Sequence, residues 1–310
     1  MVSSITIVVL LRTKAATLAL DQPNRRSLHT APTPRLGGLG IIAGLIVAWC
    51  YAAPEFDPRL VLAFLLLAGI SLLDDIKNVN VAWRFTLHLV SSLVAMTAML
   101  YDLYGIWLAL AATLMTTWMI NLYNFMDGSD GLAGGMAIIG FGTYGAAALA
   151  GGDFSFAVIN LSVAAAALGF LLFNFPPAKV FMGDVGAIPL GYLAAVFGVT
   201  GWLRGDWTLW FAVIVFSPFI VDATVTLIKR ALRGARVWQA HREHYYQRLV
   251  QSGLGHRGTA LAEYALMMLC SAAALAGTRY ESLQLIVAGT LALGYAGLIV
   301  ALEKVLPAHA

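Results

Sequence analysis

The sequence predicts an all-α fold, a polytopic membrane helical bundle with 10–11 transmembrane helices. Of its 310 residues, 60% are hydrophobic and only 11% are charged, and the mean hydropathy is +0.81. A soluble domain carries roughly a quarter charged residues. The apolar residues also come in long stretches, and lipid offers backbone groups no hydrogen-bonding partner. Apolar stretches of roughly 17–25 residues therefore form helices.

Composition also excludes several classes of protein. Lys and Arg number 19 against 16 Asp and Glu, a net charge of +3, and there are two cysteines. This balance does not suit a disordered chain, a disulfide scaffold or a nucleic-acid binder. Cys50 and Cys270 fall inside apolar stretches, where a thiol packs as a small apolar group. With no repeat or linker visible, residues 1–310 are expected to form one integral-membrane domain.

Several apolar stretches qualify as spans by length and composition. In chain order they are 37–53, 59–73, 84–101, 104–122, 132–150, 155–173, 186–203, 207–229, 259–277 and 282–302. An earlier run, Ile5–Leu11, is short for a span and lacks the small-residue cleavage site of a signal peptide. We expect it either to lie tilted at the interface or to continue a segment that begins further upstream.

Basic residues are distributed unevenly between the connections. Only Arg59, Arg204 and Arg279 fall on one side of the predicted membrane, and all the others, Arg25 and Arg26 among them, fall opposite. The positive-inside rule therefore places the second side, with the C-terminus, in the cytoplasm. The connections on that side carry nearly all the unusual polar residues, and they are 21–36, 74–83, 121–131, 174–185 and 230–258.

Asp74 and Asp75 stand together where a predicted span ends. Adjacent carboxylates repel each other, and the membrane boundary makes both charges costly to desolvate. The pair is either a solvated helix end near Lys77 or a site for a cation or for acid–base chemistry. Adjacent residues on a helix point about 100° apart, so the two side chains are expected to serve different partners.

A second polar cluster follows the span 104–122 directly and contains Asn121, Asn124, Asp127 and Asp130. The two asparagines share a helical face, and two Asp-Gly steps let the backbone turn tightly around a ligand. Carboxylate and amide oxygens are the ligands of a hard divalent cation. Mg²⁺ commonly uses only one or two carboxylates together with substrate phosphates. The cluster therefore predicts a ligand site rather than an ordinary turn.

A third cluster lies between two spans and contains Asn174, Phe181 and the step Gly183-Asp184-Val-Gly186. Taken alone, Asp184 could simply cap the helix that follows. Three acidic clusters on one predicted face favour a functional site instead.

The longest inner connection is basic. Arg230, Arg233 and Arg236 lead it and can bind anionic lipid headgroups. The later His241-Arg242-x-His244 can instead direct two imidazoles and a guanidinium toward a phosphate. Two histidines without cysteine make an incomplete zinc set.

Three single residues also need an explanation. Asp222 lies inside a span, where a carboxylate is either functional or paired at a broken helix end. His29 belongs to a stiff, basic, proline-rich loop that can cover a phosphate-bearing ligand. His88, one turn after Arg84, is expected to pack or to form a hydrogen bond.

These clusters together predict chemistry on a phosphate. Acidic groups that can hold Mg²⁺ face basic and histidine-bearing loops on one side of the membrane, and cations neutralise the charge that develops during phosphoryl transfer. A site at the bilayer edge indicates that one substrate is a lipid.

The order of the motifs resembles one known family. Pro23-Asn-x-Arg26-Ser-x-His29 and Pro32-x-Pro-Arg-x-Gly-Gly38 precede Asp74-Asp75. The later motifs are Asn121-x-x-Asn124-x-x-Asp127-Gly-x-Asp130-Gly, Asn174-x-x-Pro-Ala, Phe181-Met-Gly-Asp184-x-Gly and His241-Arg-x-His244. The set looks like the polyprenyl-phosphate N-acetylhexosamine-1-phosphate transferases of glycosyltransferase family 4, which include the phospho-MurNAc-pentapeptide translocase and WecA-type enzymes. The last motif is similar to the WbpL-type branch that initiates O-antigen or related surface glycans.

The resemblance implies a reaction, a cofactor and a location. A UDP-N-acetylhexosamine and undecaprenyl phosphate give undecaprenyl-diphospho-sugar and UMP, with Mg²⁺, or Mn²⁺ in its place. The reaction takes place at the cytoplasmic face of the bacterial inner membrane, and the family makes a homodimer an open possibility.

The resemblance also implies roles for individual residues. Asn124 and Asp184 would bind the metal, with Asp127 beside it as a catalytic residue. Asp74 and Asp75 would lie at the lipid phosphate, one of them as general base. Further positions would bind the donor: Asp130, Asn174 and Phe181 its uridine, and His241, Arg242 and His244 its pyrophosphate or sugar. We expect direct attack by the lipid phosphate, with an aspartyl-phosphate on Asp184 as the alternative.

Two other kinds of function use similar residues. Ion-coupled secondary transporters also contain buried carboxylates, but they place them near the bilayer midplane rather than at one edge. A catalytically silent subunit of a glycan-assembly complex would lack at least one of Asp74, Asp184 and His244, and all three are present. The identity of the sugar does not follow from the sequence.

Overall fold

The computed structural model describes residues 1–23, 27–29, 31–237, 239, 241–279 and 284–306. Within these ranges the chain is helical apart from loops and one antiparallel pair of two-residue strands, β1 (Leu20–Asp21) and β2 (Thr33–Pro34). The predicted all-α membrane bundle is confirmed. Arg25 and Arg26, which contribute to the predicted orientation, lie outside the described residues, as does the start of the predicted span 282–302.

The helices are joined by connections of unequal length, the longest of which lie between α1 and α2 and between α9 and α10. In chain order they are α1 Val2–Leu11, α2 Gly37–Ala52, α3 Pro58–Lys77, α4 Val81–Phe125, α5 Leu132–Gly151, α6 Phe154–Asn174, α7 Asp184–Arg204, α8 Leu209–Val215, α9 Ser217–Leu232, α10 Tyr245–Leu249, α11 Gly255–Arg279 and α12 Gln284–Val305. A 3₁₀ turn at Lys14–Thr17 and a π turn at Val250–Leu254 complete the described helical structure.

Each predicted span corresponds to a helix or to part of one. The spans 84–101 and 104–122 form the single 45-residue α4, which is broken at Gly105, where φ is 78° and ψ is 177°. The span 207–229 is the pair α8 and α9, bent by 75°. Within the described ranges, six helices are long and apolar enough to cross a membrane, or seven if the bent pair is one span. The count is lower than predicted because α4 counts once for two predicted spans, α2 is short and α3 carries charged residues at its ends.

Local sequence explains where several helices begin. Asp57 precedes α3 and accepts a hydrogen bond from the Arg59 N–H (2.8 Å), and Pro58 follows as the first helical residue. Asn80 caps α4 in the same way. These are side chains and positions that helix N-termini favour, because the first amides have no partner within the helix.

The buried helix α7 lies at the centre of the bundle and packs against α2, α3, α4 and α5. Aromatic rings from α5 and from the junction of α8 and α9 fill the space beside it, with Tyr144, Phe141 and Phe216 fully buried. None of the residues described in α12 is buried. The first residue of α7 is Asp184, one of the predicted site residues.

The short α1 is part of the packed bundle. Ile7 is fully buried against α2, and Ser4 donates a hydrogen bond to the Gly169 carbonyl of α6 (3.1 Å). This contact with two neighbouring helices differs from a helix that lies only on the membrane surface.

Candidate active site

One end of the bundle contains a cleft of about 340 Å³. Its walls come from the loop before α2, the end of α4 with the turn that follows, the connection between α6 and α7, and the segment from α10 to the start of α11. The predicted site residues that line it are Asn124, Asp127, Asp130, Asn174, Phe181 and Asp184. The fold thus brings two separate polar clusters of the sequence into one site.

Asp75 lies at the edge of this cleft and holds the first turn of α7. Its Oδ1 accepts a hydrogen bond from the Asp184 N–H (3.1 Å), and its Oδ2 accepts one from the Val185 N–H (2.9 Å). A carboxylate is favourable at these unpaired amides. The alternative interpretation of Asp184 as an N-cap is wrong, because α7 begins at Asp184 itself, after Gly183.

Arg84, in the first turn of α4, connects two of the predicted carboxylates. Its Nη1 forms an ion pair with Asp74 Oδ2, and its Nη2 lies 2.7 Å from Asp184 Oδ2. The other oxygen of Asp74 accepts a hydrogen bond from the Val79 N–H (2.6 Å). Asp74 and Asp75 therefore serve different partners, as their spacing predicts.

Asp127 lies in the turn after α4, deep in the cleft. Burial raises the pKa of its carboxyl group well above the usual value, and the nearby carboxylates of Asp184 and Asp75 add to the effect. Both causes disfavour the charged form. A cation beside Asp127 would offset them.

Asp130 and Asn174 join the two turns that flank the cleft. The Gly131 N–H donates a hydrogen bond to Asn174 Oδ1 (2.8 Å), and Asn174 Nδ2 donates one to the Val180 carbonyl (2.9 Å). Asp130 Oδ2 accepts a hydrogen bond from the Ala178 N–H (2.9 Å). These bonds set the shape of the pocket wall where the sequence predicts uridine binding.

The basic loop before α2 lies against the same wall. His29 packs edge-on against Phe181 with ring centroids 4.9 Å apart, and Arg35 Nη2 donates a hydrogen bond to Asp21 Oδ1 (2.5 Å). All four of these side chains line the cleft. The loop is therefore in position to cover a ligand, as predicted.

His241, Arg242 and His244 are not among the residues that line this cleft. His244 is buried, and its Nδ1 lies 3.3 Å from Asp222 Oδ1. Asp222 also accepts hydrogen bonds from the N–H groups of Tyr245 and Tyr246, both at 2.9 Å. The intramembrane aspartate thus anchors the start of α10, and a direct contact of these three residues with substrate stays a prediction.

Two of the three arginines that begin the longest inner connection form ion pairs within the protein. Arg230 and Arg233 form ion pairs with Glu243, the second at 2.7 Å. Arg242 is exposed, and the ring of His241 lies 4.8 Å from that of His244. The arginine pairs therefore fix the loop that carries the histidine motif.

His88 is buried, and its Nδ1 lies 3.3 Å from Asn121 Oδ1. The expectation of a packing or hydrogen-bonding role is confirmed. Asn121 is turned toward this contact, and its Nδ2 donates to the Thr117 carbonyl (2.7 Å). It does not line the cleft with Asn124.

Sequence reasoning assigned no role to several residues that complete the site: Arg84, Tyr246, Gln247 and His256. The last three line the cleft. Tyr246 donates a hydrogen bond to the Phe125 carbonyl (2.9 Å), and any Cβ at Gly128 would collide with its hydroxyl. Gly128 is the sequence signal that indicates such a contact, because a glycine directly after Asp127 leaves room for a side chain from a distant part of the sequence.

The donor set of the cleft fits a hard divalent cation. Asn124, Asp127 and Asp184 supply amide and carboxylate oxygens, which suit Mg²⁺ better than Zn²⁺. Among the described residues no group of three or more His, Cys, Asp or Glu forms a complete metal site.

Comparison with known proteins supports this picture. The sequence profile described as glycosyl transferase family 4 matches residues 58–202. A probable undecaprenyl-phosphate N-acetylglucosaminyl 1-phosphate transferase of Bacillus subtilis is 31% identical over 277 residues, covering 83% of this chain and 76% of the relative.

Two further relatives have similar extents. The decaprenyl-phosphate N-acetylglucosaminephosphotransferase of Mycobacterium tuberculosis strain H37Rv is 30% identical over 295 residues. The match covers 79% of this chain and 72% of the relative. The undecaprenyl-phosphate alpha-N-acetylglucosaminyl 1-phosphate transferase of Yersinia pestis is 29% identical over 283 residues, covering 83% and 74%.

Proposed function

Since this chain belongs to the polyprenyl-phosphate N-acetylhexosamine-1-phosphate transferase family, we propose that it transfers N-acetylhexosamine 1-phosphate from a UDP-sugar to undecaprenyl phosphate. The products are undecaprenyl-diphospho-sugar and UMP. The observation that carries this proposal is the cleft in which Asn124, Asp127 and Asp184 converge beside the paired Asp74 and Asp75.

The reaction exchanges one phosphoanhydride bond for another. An oxygen of the lipid phosphate attacks the β-phosphorus of the UDP-sugar, and the bond from that phosphorus to the bridging oxygen breaks. UMP leaves with the bridging oxygen, and the sugar stays attached to its phosphorus. A phosphate monoester is already largely ionised at neutral pH, so Asp74 or Asp75 serves more to orient the acceptor than to remove a proton.

The metal in this proposal is Mg²⁺, with Mn²⁺ as a substitute. Asn124 and Asp184 would hold it, with Asp127 beside them, because these three residues line the same cleft. When bound, the metal neutralises negative charge on the donor pyrophosphate. Asp130, Asn174 and Phe181 would then receive the uridine on the adjoining wall.

The pairing of Asp184 favours direct attack over an aspartyl-phosphate. Its Oδ2 already lies 2.7 Å from the Arg84 guanidinium, which lowers the nucleophilicity of the carboxylate. UMP exchange into UDP-sugar in the absence of lipid, or a trapped phospho-enzyme, would contradict direct attack.

The location that we propose is the bacterial inner membrane, with the cleft and the C-terminus in the cytoplasm. The distribution of basic residues supports this orientation. The product would initiate a cell-surface glycan such as O-antigen or capsule, and the chain could act as a homodimer. The position of the carboxylates at one end of the bundle argues against an ion-coupled carrier.

The decisive experiment measures UMP release by the purified protein in detergent. It uses undecaprenyl phosphate, Mg²⁺ and a panel of UDP-N-acetylhexosamines, with EDTA as the metal-free arm. We expect release that requires lipid and metal and that Asp184→Asn abolishes. Asp102→Asn, an exposed carboxylate change outside the cleft, is the control and should retain activity. Lipid-independent release would contradict the proposal.

A further inference from the structure

His256 joins three segments of the cleft. It is the second residue of α11, and its side chain is 21% exposed on the cleft wall. Its Nδ1 lies 2.9 Å from Ser129 Oγ and 3.3 Å from the Asp130 amide nitrogen. Its Nε2 lies 3.3 Å from the Leu28 carbonyl oxygen. One imidazole thus connects the turn after α4, the loop before α2 and the start of α11.

The partners determine which nitrogen of His256 carries the proton. The Asp130 backbone N–H can only donate, so Nδ1 accepts there. The Leu28 carbonyl can only accept, so Nε2 donates. A neutral imidazole protonated on Nε2 satisfies both contacts. The ring is therefore an oriented link rather than a surface histidine with free rotation.

Helix α11 contacts the turn after α4 at a second point. Tyr264, two turns further along α11, donates a hydrogen bond to the Gly131 carbonyl (2.6 Å). Gly135 leaves room for the tyrosine ring, because a Cβ there would collide with it. His256 and Tyr264 thus hold the two ends of the segment 129–131 from one helix.

We infer that His256 is a positioning residue for the nucleoside half of the donor, holding the Ser129–Asp130 turn and the Leu28 loop at a fixed separation. This inference rests on the proposed function, because it takes the wall formed by Asp130, Asn174 and Phe181 as the nucleoside pocket. His256 acts through the backbone of that wall and not on the reacting phosphates. Its loss should therefore weaken donor binding and leave the chemical step nearly unchanged.

The test separates donor binding from turnover. Full-length protein in detergent is assayed with undecaprenyl phosphate, Mg²⁺ and the UDP-N-acetylhexosamine that releases most UMP. UMP affinity is measured separately by calorimetry. His256→Phe keeps the ring volume and removes both hydrogen-bonding nitrogens, whereas His256→Gln keeps a donor and an acceptor. Arg257→Gln is the control, since Arg257 is the next residue, is exposed and does not line the cleft.

For His256→Phe we expect the donor KM to rise about tenfold, the magnitude typical of losing hydrogen bonds to buried polar groups. UMP affinity should fall by a similar factor. The kcat and the KM for the lipid should stay within about twofold, and His256→Gln should recover much of the loss.

Two results would overturn the inference. One is an unchanged donor KM and UMP affinity in a folded His256→Phe protein. The other is a His256→Phe protein in which kcat and Tm fall while the KM values for donor and lipid both rise, with no recovery in His256→Gln. That pattern indicates a purely structural role. If the unsubstituted protein transfers nothing to lipid, the proposed function fails. UMP binding by the variants still reports on His256 in that case.

Discussion

Asp74, Asp75 and Asp184 are three carboxylates with different surroundings. Asp75 accepts two backbone hydrogen bonds from the start of α7. Asp74 and Asp184 share the Arg84 guanidinium. Residue type alone therefore does not define the role of an aspartate here, because its partners decide how much negative charge remains to attract a cation.

Replacing Arg84 should separate two effects of its guanidinium: the positive charge it supplies to the site and its competition with a cation for Asp184. We expect Arg84→Gln to lower turnover by about 10- to 100-fold, because the site loses its fixed positive charge. The same change should lower the Mg²⁺ concentration needed for half-maximal rate, since the guanidinium no longer competes for Asp184. Arg204→Gln is the control, because Arg204 pairs with Asp153 at the other end of the bundle. A higher Mg²⁺ requirement in Arg84→Gln would contradict this expectation.

Asp75 allows stability and activity to be compared. We expect Asp75→Ala to lower Tm by roughly 2–4 °C, the usual effect of losing a helix cap of about 1 kcal/mol, and to lower activity at least about tenfold. Asp153→Ala removes the cap of α6, where Asp153 accepts from the Phe156 N–H (2.9 Å). It should lower Tm similarly and retain activity. Equal activity losses in both variants would show that capping alone explains the effect.

At the scale of elements, the bent pair α8 and α9 places Asp222 within hydrogen-bonding distance of the start of α10. The sequence left open whether Asp222 is functional or merely paired. In the structure it anchors the segment that carries His244, through two backbone hydrogen bonds and the contact with the His244 ring. Glu303 of α12 supports the same segment from outside, through Arg248 (2.9 Å) and Tyr245 (2.7 Å).

Changing Asp222 should therefore affect the whole histidine segment. We expect Asp222→Asn to lower kcat at least about tenfold, because an amide can accept from the backbone but lacks the charge that holds several donors together. Limited proteolysis should detect faster cleavage within residues 230–258. Asp206→Asn, in a connection at the other end of the bundle, serves as the control. Full activity of Asp222→Asn would contradict the anchoring role.

At the scale of the whole molecule, the polar site lies at one end of the bundle, and the connections that the structure describes at the other end are short. This asymmetry agrees with the distribution of basic residues, which predicts that the cleft end faces the cytoplasm. The central helix α7 connects the two ends, since it begins at Asp184 in the cleft and ends at Arg204.

Membrane orientation can be tested with single cysteines after Cys50 and Cys270 are replaced by alanine. Glu55 and Ser252 are exposed residues of connections at opposite ends. We expect a membrane-impermeant maleimide to label Glu55→Cys in cells whose outer membrane or wall has been permeabilised while the inner membrane is intact. Ser252→Cys should be labelled only after the inner membrane is permeabilised as well. The cysteine-free chain is the control. Labelling in the reverse order would place the cleft outside.

The sequence by itself determined the membrane class, the helix positions and much of the site. Apolar length and lipid's lack of hydrogen-bonding partners suffice for the helices, so each predicted span has a described counterpart. The resemblance of its motifs to the transferase family implied that Asn124, Asp127 and Asp184 belong to one site, and all three line one cleft.

Only the tertiary structure decided which residues distant in sequence contact one another. Arg84 meets Asp184 across 100 positions of sequence, and His256 meets Asp130 across 126. Such pairings depend on how the helices pack, and helical periodicity describes only the face of a single helix. The contact of the buried His244 with Asp222 is decided by packing in the same way, and donor binding by His241, Arg242 and His244 stays a prediction.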